Sequence, residues 1–166
     1  MKIHLIEGPV GAGKSTYAIR LARELGAVRM NLDEWMVTLF SRDRPATNFT
    51  TWYNERKQRC IEQIWLTTRA VLDAKTEVVL ELGLVTSALR EAFYQRADQH
   101  GCLLTVTVLE APREERWRRV QQRNEGTDET FRMFVSEEIF QIADAAWQAP
   151  DSLELKQRQI KQIKHY

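Results

Sequence analysis

The sequence predicts an α/β fold built on a parallel sheet, and three observations carry that reading. Short apolar runs alternate with longer stretches whose apolar residues recur at helical spacing, as far as about residue 147. The first run ends in a glycine-rich turn that leads straight into a helix-forming stretch. No internal repeat, low-complexity tract or linker composition interrupts the alternation, so residues 1–166 read as one domain.

Taken in order, Lys2 to Glu7 reads as the first strand. Lys14 to Leu25 reads as a helix, with Ala18, Leu21, Ala22 and Leu25 on one face and Gly26 as its stop. Ala27 to Met30 is a short second strand, with Asp33 just past its carboxyl end. A helix is expected from Glu34 to Phe40, with Asp33 suited to cap it. Thr51 to Ala74 reads as a long helix with Ile61, Ile64, Trp65, Val71 and Leu72 along one stripe. Glu77 to Leu82 is a strand whose centre, Val78-Val79-Leu80, suits burial on both faces. A helix from Ser87 to His100 stops at Gly101, and Cys102 to Leu109 follows as another buried strand. Pro112 opens a basic helix that runs to about Arg123, placing Pro at the first helical position. Ser136 caps a last helix reaching Trp147. From Asp151 to Tyr166 the pattern weakens: Ile160 and Ile163 allow a short helix, in a stretch polar enough to fray.

The composition, 43% hydrophobic and 28% charged, is that of a globular chain with a proper core. A formal net charge of +1 gives no protein-wide field that would draw nucleic acid or an anionic membrane. It disfavours a dedicated polynucleotide binder and leaves room for a local basic groove. The two cysteines, Cys60 and Cys102, lie far apart and lack CxxC spacing or a His partner at a metal-ligand interval, which argues against a disulfide framework or a zinc site and points to the reducing cytoplasm. The opening apolar run is too short for a signal peptide, and no stretch reaches the roughly 20 apolar residues of a membrane span. The three histidines, His4, His100 and His165, show no pairing. Nothing in the sequence sets the oligomeric state.

The segment Gly8-Pro9-Val10-Gly11-Ala12-Gly13-Lys14-Ser15 fits G-x-x-x-x-G-K-[ST] in full, with Thr16 after it. Glycines permit torsions and close approaches that side chains forbid, so backbone N–H groups can converge on phosphate oxygens. The following helix N-terminus reinforces that anion nest. Lys14 is placed to reach the β- and γ-phosphates of ATP and the Ser15 hydroxyl to ligate Mg²⁺. The motif sits between a strand and a helix, the context that gives it meaning.

A guanine-specific switch would carry N-K-x-D late in the chain, and that signature is absent. The match of Asp98 to Gly101 with D-x-x-G falls at a helix end, where it could not read a γ-phosphate. A motor ATPase would normally be larger. A kinase needs an acid near the acceptor, a carboxylate near Mg²⁺ and a cationic lid. Asp33 is the candidate for the first and Glu81, ending the run Val78-Val79-Leu80-Glu81, for the second. Arg113, Arg116, Arg118, Arg119 and Arg123 crowd one helix, and Asn124-Glu125-Gly126-Thr127 could form its flexible end. Arg116, Arg119 and Arg123 share one side of that helix, which favours a phosphate role for at least one of them.

The phosphate loop, the segment Asn31-Leu32-Asp33-Glu34-Trp35-Met36 and the helix from Arg116 to Asn124 resemble the zeta-toxin and chloramphenicol-phosphotransferase group of kinases. That group is related to the kinase domain of bacteriophage polynucleotide kinase, and the likeness runs to about Pro150. The resemblance implies a three-layer P-loop NTPase fold, with about five parallel strands in the order 2-3-1-4-5 and helices on both faces. It implies an ATP-dependent phosphotransferase in which Asp33 matches the acceptor-side base and Arg119 and Arg123 match lid arginines. Many relatives carry Asp where this chain has Glu81.

Each of these residues also has a plainer reading. Asp33 could only cap a helix, and the arginines could form a solvated face with Glu114 and Glu115 as partners. Trp35, Phe40, Phe49, Trp52 and Tyr53 could be core, or could wall an apolar acceptor pocket. Arg42 and Arg44 could meet an anionic acceptor or face water. The acceptor expected is a small molecule with a hydroxyl, such as an antibiotic. A nucleotide sugar or a polynucleotide 5′ end is the alternative, and a regulatory ATPase that uses ATP as a switch is the runner-up from another class.

Overall fold

The computed structural model describes residues 2–126 and 134–164. Strand β1 (Lys2–Glu7) runs into the glycine turn and helix α1 (Lys14–Leu25), and β2 (Val28–Asn31) leads directly into α2 (Leu32–Phe40). A single 3₁₀ turn (Ser41–Asp43) precedes the long α3 (Phe49–Asp73). Then follow β3 (Val78–Glu81), α4 (Ser87–Gln99), β4 (Leu103–Glu110), α5 (Arg113–Glu125), α6 (Glu137–Ala146), α7 (Ser152–Gln157) and β5 (Lys161–Lys164).

All strand pairs are parallel, and the order is β2-β3-β1-β4-β5. This is the expected sheet. β1 pairs with β3 from Ile3 opposite Val78 to Leu5 opposite Leu80, and with β4 from Lys2 opposite Leu103 to Glu7 opposite Val108. Side-chain alternation divides the strands between two cores. Ile3, Leu5, Val78 and Leu80 pack with Ile64 and Trp65 of α3 and Phe93 and Tyr94 of α4. Ile6, Val79 and Leu109 turn the other way, against Ala18 and Ala22 of α1. A smaller cluster of Val120, Val135 and Phe140 joins α5 to α6. Chain order reverses across β1, so the loop leaving its carboxyl end opens at the topological switch point, where such sheets bind ligands.

Two expectations change. Asp33 does not cap α2: Asn31 does, its side chain accepting from the Glu34 amide at 3.0 Å, and Asp33 lies within the first helical turn. Both residues suit a helix start, but β2 extends one residue further than its apolar run and so moves the cap to Asn31. Pro112 likewise occupies the position before α5 rather than the first turn inside it.

The described part of the tail, to Lys164, forms α7 and β5, and Ile163 lies in a strand rather than a short helix. Arg90 of α4, fully buried, grips Glu154 with two nitrogens at 2.6 and 2.7 Å and also donates to the Gln148 carbonyl at 2.7 Å. Tyr94 adds its hydroxyl to Glu154 at 2.9 Å. This pinned turn delivers Lys161–Lys164 to the open edge of β4 as the fifth strand.

Candidate active site

The glycine turn is held by contacts that only glycine allows. Gly11 has φ 78°, and a Cβ there would stand 2.5 Å from the Arg116 carbonyl oxygen of α5. A Cβ on Gly8 would stand 2.4 Å from the carbonyl oxygen of Leu109. The loop is thus pressed against β4 and α5. Arg116 fixes it from the side, donating to Val10 O at 3.1 Å, Ala111 O at 3.0 Å and Asp144 of α6 at 2.7 Å. Arg116 is buried and its guanidinium is taken up by these bonds, which leaves Arg119 and Arg123 as the arginines of that face on the cleft wall.

Lys14 begins α1 with its ammonium turned back on the loop, donating to Gly8 O at 2.8 Å and Pro9 O at 2.9 Å. Burial lowers its pKa, while Glu7, Asp33 and Glu81 pull it back up. The Ser15 hydroxyl donates to Glu81 Oε2 at 2.8 Å. Glu81, at the end of β3, is otherwise oriented by Arg29 of β2, which approaches Oε1 at 2.6 and 2.7 Å and also holds Glu34 at 2.8 Å. The pairing of Ser15 with Glu81 joins the two residues expected to share a metal.

Lys14, Ser15 and Glu81 line one cleft of about 490 Å³, together with Asp33, Arg119 and Arg123. The volume suits a small-molecule site. Asp33 keeps contact with water through the cleft mouth, yet the surrounding walls raise its pKa. Glu81 adds to the rise, and Lys14, Lys57 and Arg123 oppose it. Arg119 donates to Glu115 at 2.8 Å, with a terminal nitrogen 4.0 Å from where a Gly13 Cβ would lie. Arg123 has its Nε buried with no hydrogen-bond partner among the described residues, and Asp33 acts on its charge. A buried guanidinium nitrogen without a partner is a donor left open to an anion.

Asn124 is not part of a loose helix end: its side chain bonds Val135 O at 2.8 Å and Val135 N at 3.2 Å. Thr127 and His165 lie outside the described residues. Of the aromatic group around Asp33, Tyr53 alone reaches the cleft wall. Trp35 and Phe40 back the main core, and Trp52 packs edge-on to Phe40 at 6.4 Å and stacks on Phe49 at 5.9 Å. Arg44 lies over Phe49 at 4.2 Å, outside the cleft. Two cations in and beside the cleft escaped the sequence reading. Lys57 stands one helical turn beyond Tyr53 on the cleft wall, and Arg29, behind the cleft, meets Glu81 across 52 positions, so only the fold places either of them.

Beneath the loop lies Glu7, 1% exposed, with neither carboxyl oxygen properly hydrogen-bonded. Burial pushes its pKa up to about 7, and Lys14, Arg90, the Leu84 backbone and Lys57 reverse the rise only in part. The folded chain therefore holds a proton on Glu7 at pH values where the unfolded chain has lost it. Stability from this group is fully present below about pH 4.5 and declines as pH climbs through about 7, by about 3 kcal/mol in all. Glu7→Gln is expected to flatten that decline, so urea midpoints at pH 5 and pH 8 will differ less than in the parent. An unchanged pH dependence would assign Glu7 no part in it.

The family model described as "AAA domain" matches residues 3–150. Among solved structures, Kti12 of Chaetomium thermophilum in complex with ADP-AlF3 superposes with a TM-score of 0.71 at 13% identity, covering 98% of this chain and 88% of the other. A gluconokinase from Sinorhizobium meliloti gives 0.66 at 15% identity, covering 98% and 82%. The Mycobacterium tuberculosis APS kinase CysC in complex with AMPPNP and APS gives 0.65 at 14% identity, covering 98% and 87%. These likenesses establish the fold. No curated protein matches the sequence at a significant level.

Proposed function

The chain belongs to the AAA domain family, and on that premise we propose that it is an ATP-dependent kinase phosphorylating a hydroxyl of a small molecule. One observation carries the reading. A carboxylate with a raised pKa, Asp33, shares a single cleft with the complete phosphate loop and with Arg123. A nucleotide switch needs no such acid opposite the γ-phosphate; a phosphoryl transfer to an alcohol does. Gluconokinase and APS kinase, both similar in fold, bear names of the same reaction class. The zeta-toxin and chloramphenicol-phosphotransferase resemblance stays part of this proposal.

The loop amides and Lys14 bind and orient the triphosphate, and Arg119 and Arg123 close over it and exclude water. Asp33 orients the acceptor hydroxyl and takes its proton at a carboxylate oxygen, a task that a raised pKa assists. Ser15 and Glu81 offer two hard oxygens within 2.8 Å of each other, a donor pair that suits Mg²⁺, which takes few protein ligands beside phosphate and water. In this proposal the phosphates of the nucleotide and water complete the ion's ligand set. When bound, the ion supplies positive charge against the phosphate oxygens. Free thiols at Cys60 and Cys102 suit the cytoplasm, and no described helix is long and apolar enough to cross a membrane.

Release of ADP measured against a collection of hydroxyl metabolites and antibiotics tests the reading directly. Turnover is expected to rise sharply with one acceptor class and to stay slow with ATP alone. Hydrolysis indifferent to every hydroxyl compound would favour the regulatory ATPase instead. Ser15→Ala is expected to raise the Mg²⁺ concentration needed for half-maximal rate, because it removes an inner ligand. An unaltered magnesium titration would take Ser15 out of the metal site.

A further inference from the structure

On the acceptor side of the cleft, α3 presents two groups that neither the phosphate loop nor the acid-base chemistry uses. Tyr53 and Lys57 lie four residues apart, hence on one face of the helix, and both line the cleft wall with Asp33. The three are electrostatically in touch: Asp33 helps raise the Tyr53 phenol, and Lys57 acts on the Asp33 carboxyl. Neither the Lys57 ammonium nor the Tyr53 hydroxyl has a hydrogen bond or ion pair to any described residue. Of the other cations lining the cleft, two are already engaged, and Arg123 is the one the kinase reading gives to the phosphates. Lys14 bonds the loop and Arg119 holds Glu115, while Arg29, behind the cleft, holds Glu81 and Glu34.

Resting on the kinase reading, we propose that Lys57 and Tyr53 form an anion subsite, so that the acceptor carries a carboxylate or phosphate close to the hydroxyl it presents to Asp33. A cation is needed there for a physical reason. An anionic acceptor must approach Asp33 and the γ-phosphate, both negative, and without a local countercharge it would be repelled. Lys57 supplies that charge and Tyr53 an O–H donor, which together fix which hydroxyl faces the phosphate. Lys57 is therefore a specificity-determining residue, acting on the acceptor's charge and not on the transferred group.

An equilibrium measurement separates this proposal from the kinase reading, since binding needs no turnover. Calorimetric titrations of the full chain, held with AMP-PNP and Mg²⁺, would compare gluconate with glucose and glycerol 3-phosphate with glycerol. A 5′-hydroxyl oligonucleotide would be added as a third arm. The anionic member of at least one small-molecule pair is expected to bind roughly 10- to 100-fold more tightly than its neutral partner. Lys57→Gln is expected to erase that preference and Lys57→Arg to restore most of it, with thermal melts confirming that both fold. The gluconate and glycerol phosphate arms tell carboxylate from phosphate. A preference that survives in Lys57→Gln overturns the proposal, as does equal binding across both small-molecule pairs. Binding confined to the oligonucleotide would overturn it in favour of a polynucleotide end. Should anions bind through Lys57 while no acceptor is phosphorylated, the subsite stands and the kinase reading fails.

Discussion

Lys14→Ala is expected to lower kcat/KM by about 10³-fold or more, the scale on which a cation at the transferred phosphoryl group acts. In the structure the ammonium is parked 2.8 and 2.9 Å from two loop carbonyls. Those bonds hold it at the cleft floor without neutralising it, so it can swing to a phosphate oxygen at little cost. Burial disfavours the charged form, but Glu7, Asp33 and Glu81 together oppose that effect. Ala removes the charge and also one of the cations that temper Glu7. A second readout follows. The pH-dependent loss of stability attributed to Glu7 will move to higher pH in the variant, because the buried carboxyl becomes still harder to ionise. Stopped turnover together with that displaced titration would tie Lys14 to both phosphate and Glu7. Full activity in Lys14→Ala would remove the phosphate-loop argument altogether.

What the sequence disclosed and what it hid follow one physical division. Elements with a complete apolar pattern and local stop signals were legible: α1 spans Lys14–Leu25 and ends at Gly26 in the left-handed region, as its spacing predicted. Strands β1, β3 and β4 were legible because β3 and the carboxyl-terminal parts of β1 and β4 are buried on both faces and carry apolar runs. β5 was not. It is an edge strand, Lys161–Lys164, in which Ile163 alone packs against a core. A strand covered on one side needs little apolar sequence, and its place depends on the Arg90–Glu154 pair 64 positions apart. The same holds for the site. The phosphate loop is local and was read in full, whereas the Ser15–Glu81 and Arg29–Glu81 contacts cross 66 and 52 positions. Of the arginines on α5, spacing could define a shared face but could not say that Arg116 would be spent on Val10 and Asp144. Lys57 carries no pattern at all; only the docking of α3 beside α2 turns it toward Asp33.

Asp33→Asn is expected to slow transfer by roughly 10²- to 10⁴-fold while leaving the fold and nucleotide affinity nearly intact, the range for losing a general base. The structure strengthens the separation of effects. Asn31, not Asp33, caps α2, so the substitution removes no helix-ending hydrogen bond. Asn keeps the volume of the side chain and its place in the first turn but takes no proton at neutral pH. Two costs work against each other. The helix start loses a favourable negative charge, worth a few tenths of a kcal/mol to about 1 kcal/mol. A partly desolvated carboxylate whose pKa is raised is also removed, which offsets that loss. The net change in the unfolding midpoint is therefore small. A pH profile gives the discriminating signature. In the parent, kcat/KM is expected to rise with pH as Asp33 ionises, and that rise to lie above the ordinary carboxylate range, because the cleft walls desolvate this water-exposed carboxyl and Glu81 repels its charge. The variant will lack that limb. A raised acceptor KM with the limb intact would make Asp33 a positioning group, and an equal loss of stability and rate would make it structural. Normal turnover of Asp33→Asn on a confirmed acceptor would end its assignment as the base. A phosphoryl transfer whose transition state is loose lets the proton leave late, which sets the expected effect toward 10²-fold rather than 10⁴-fold.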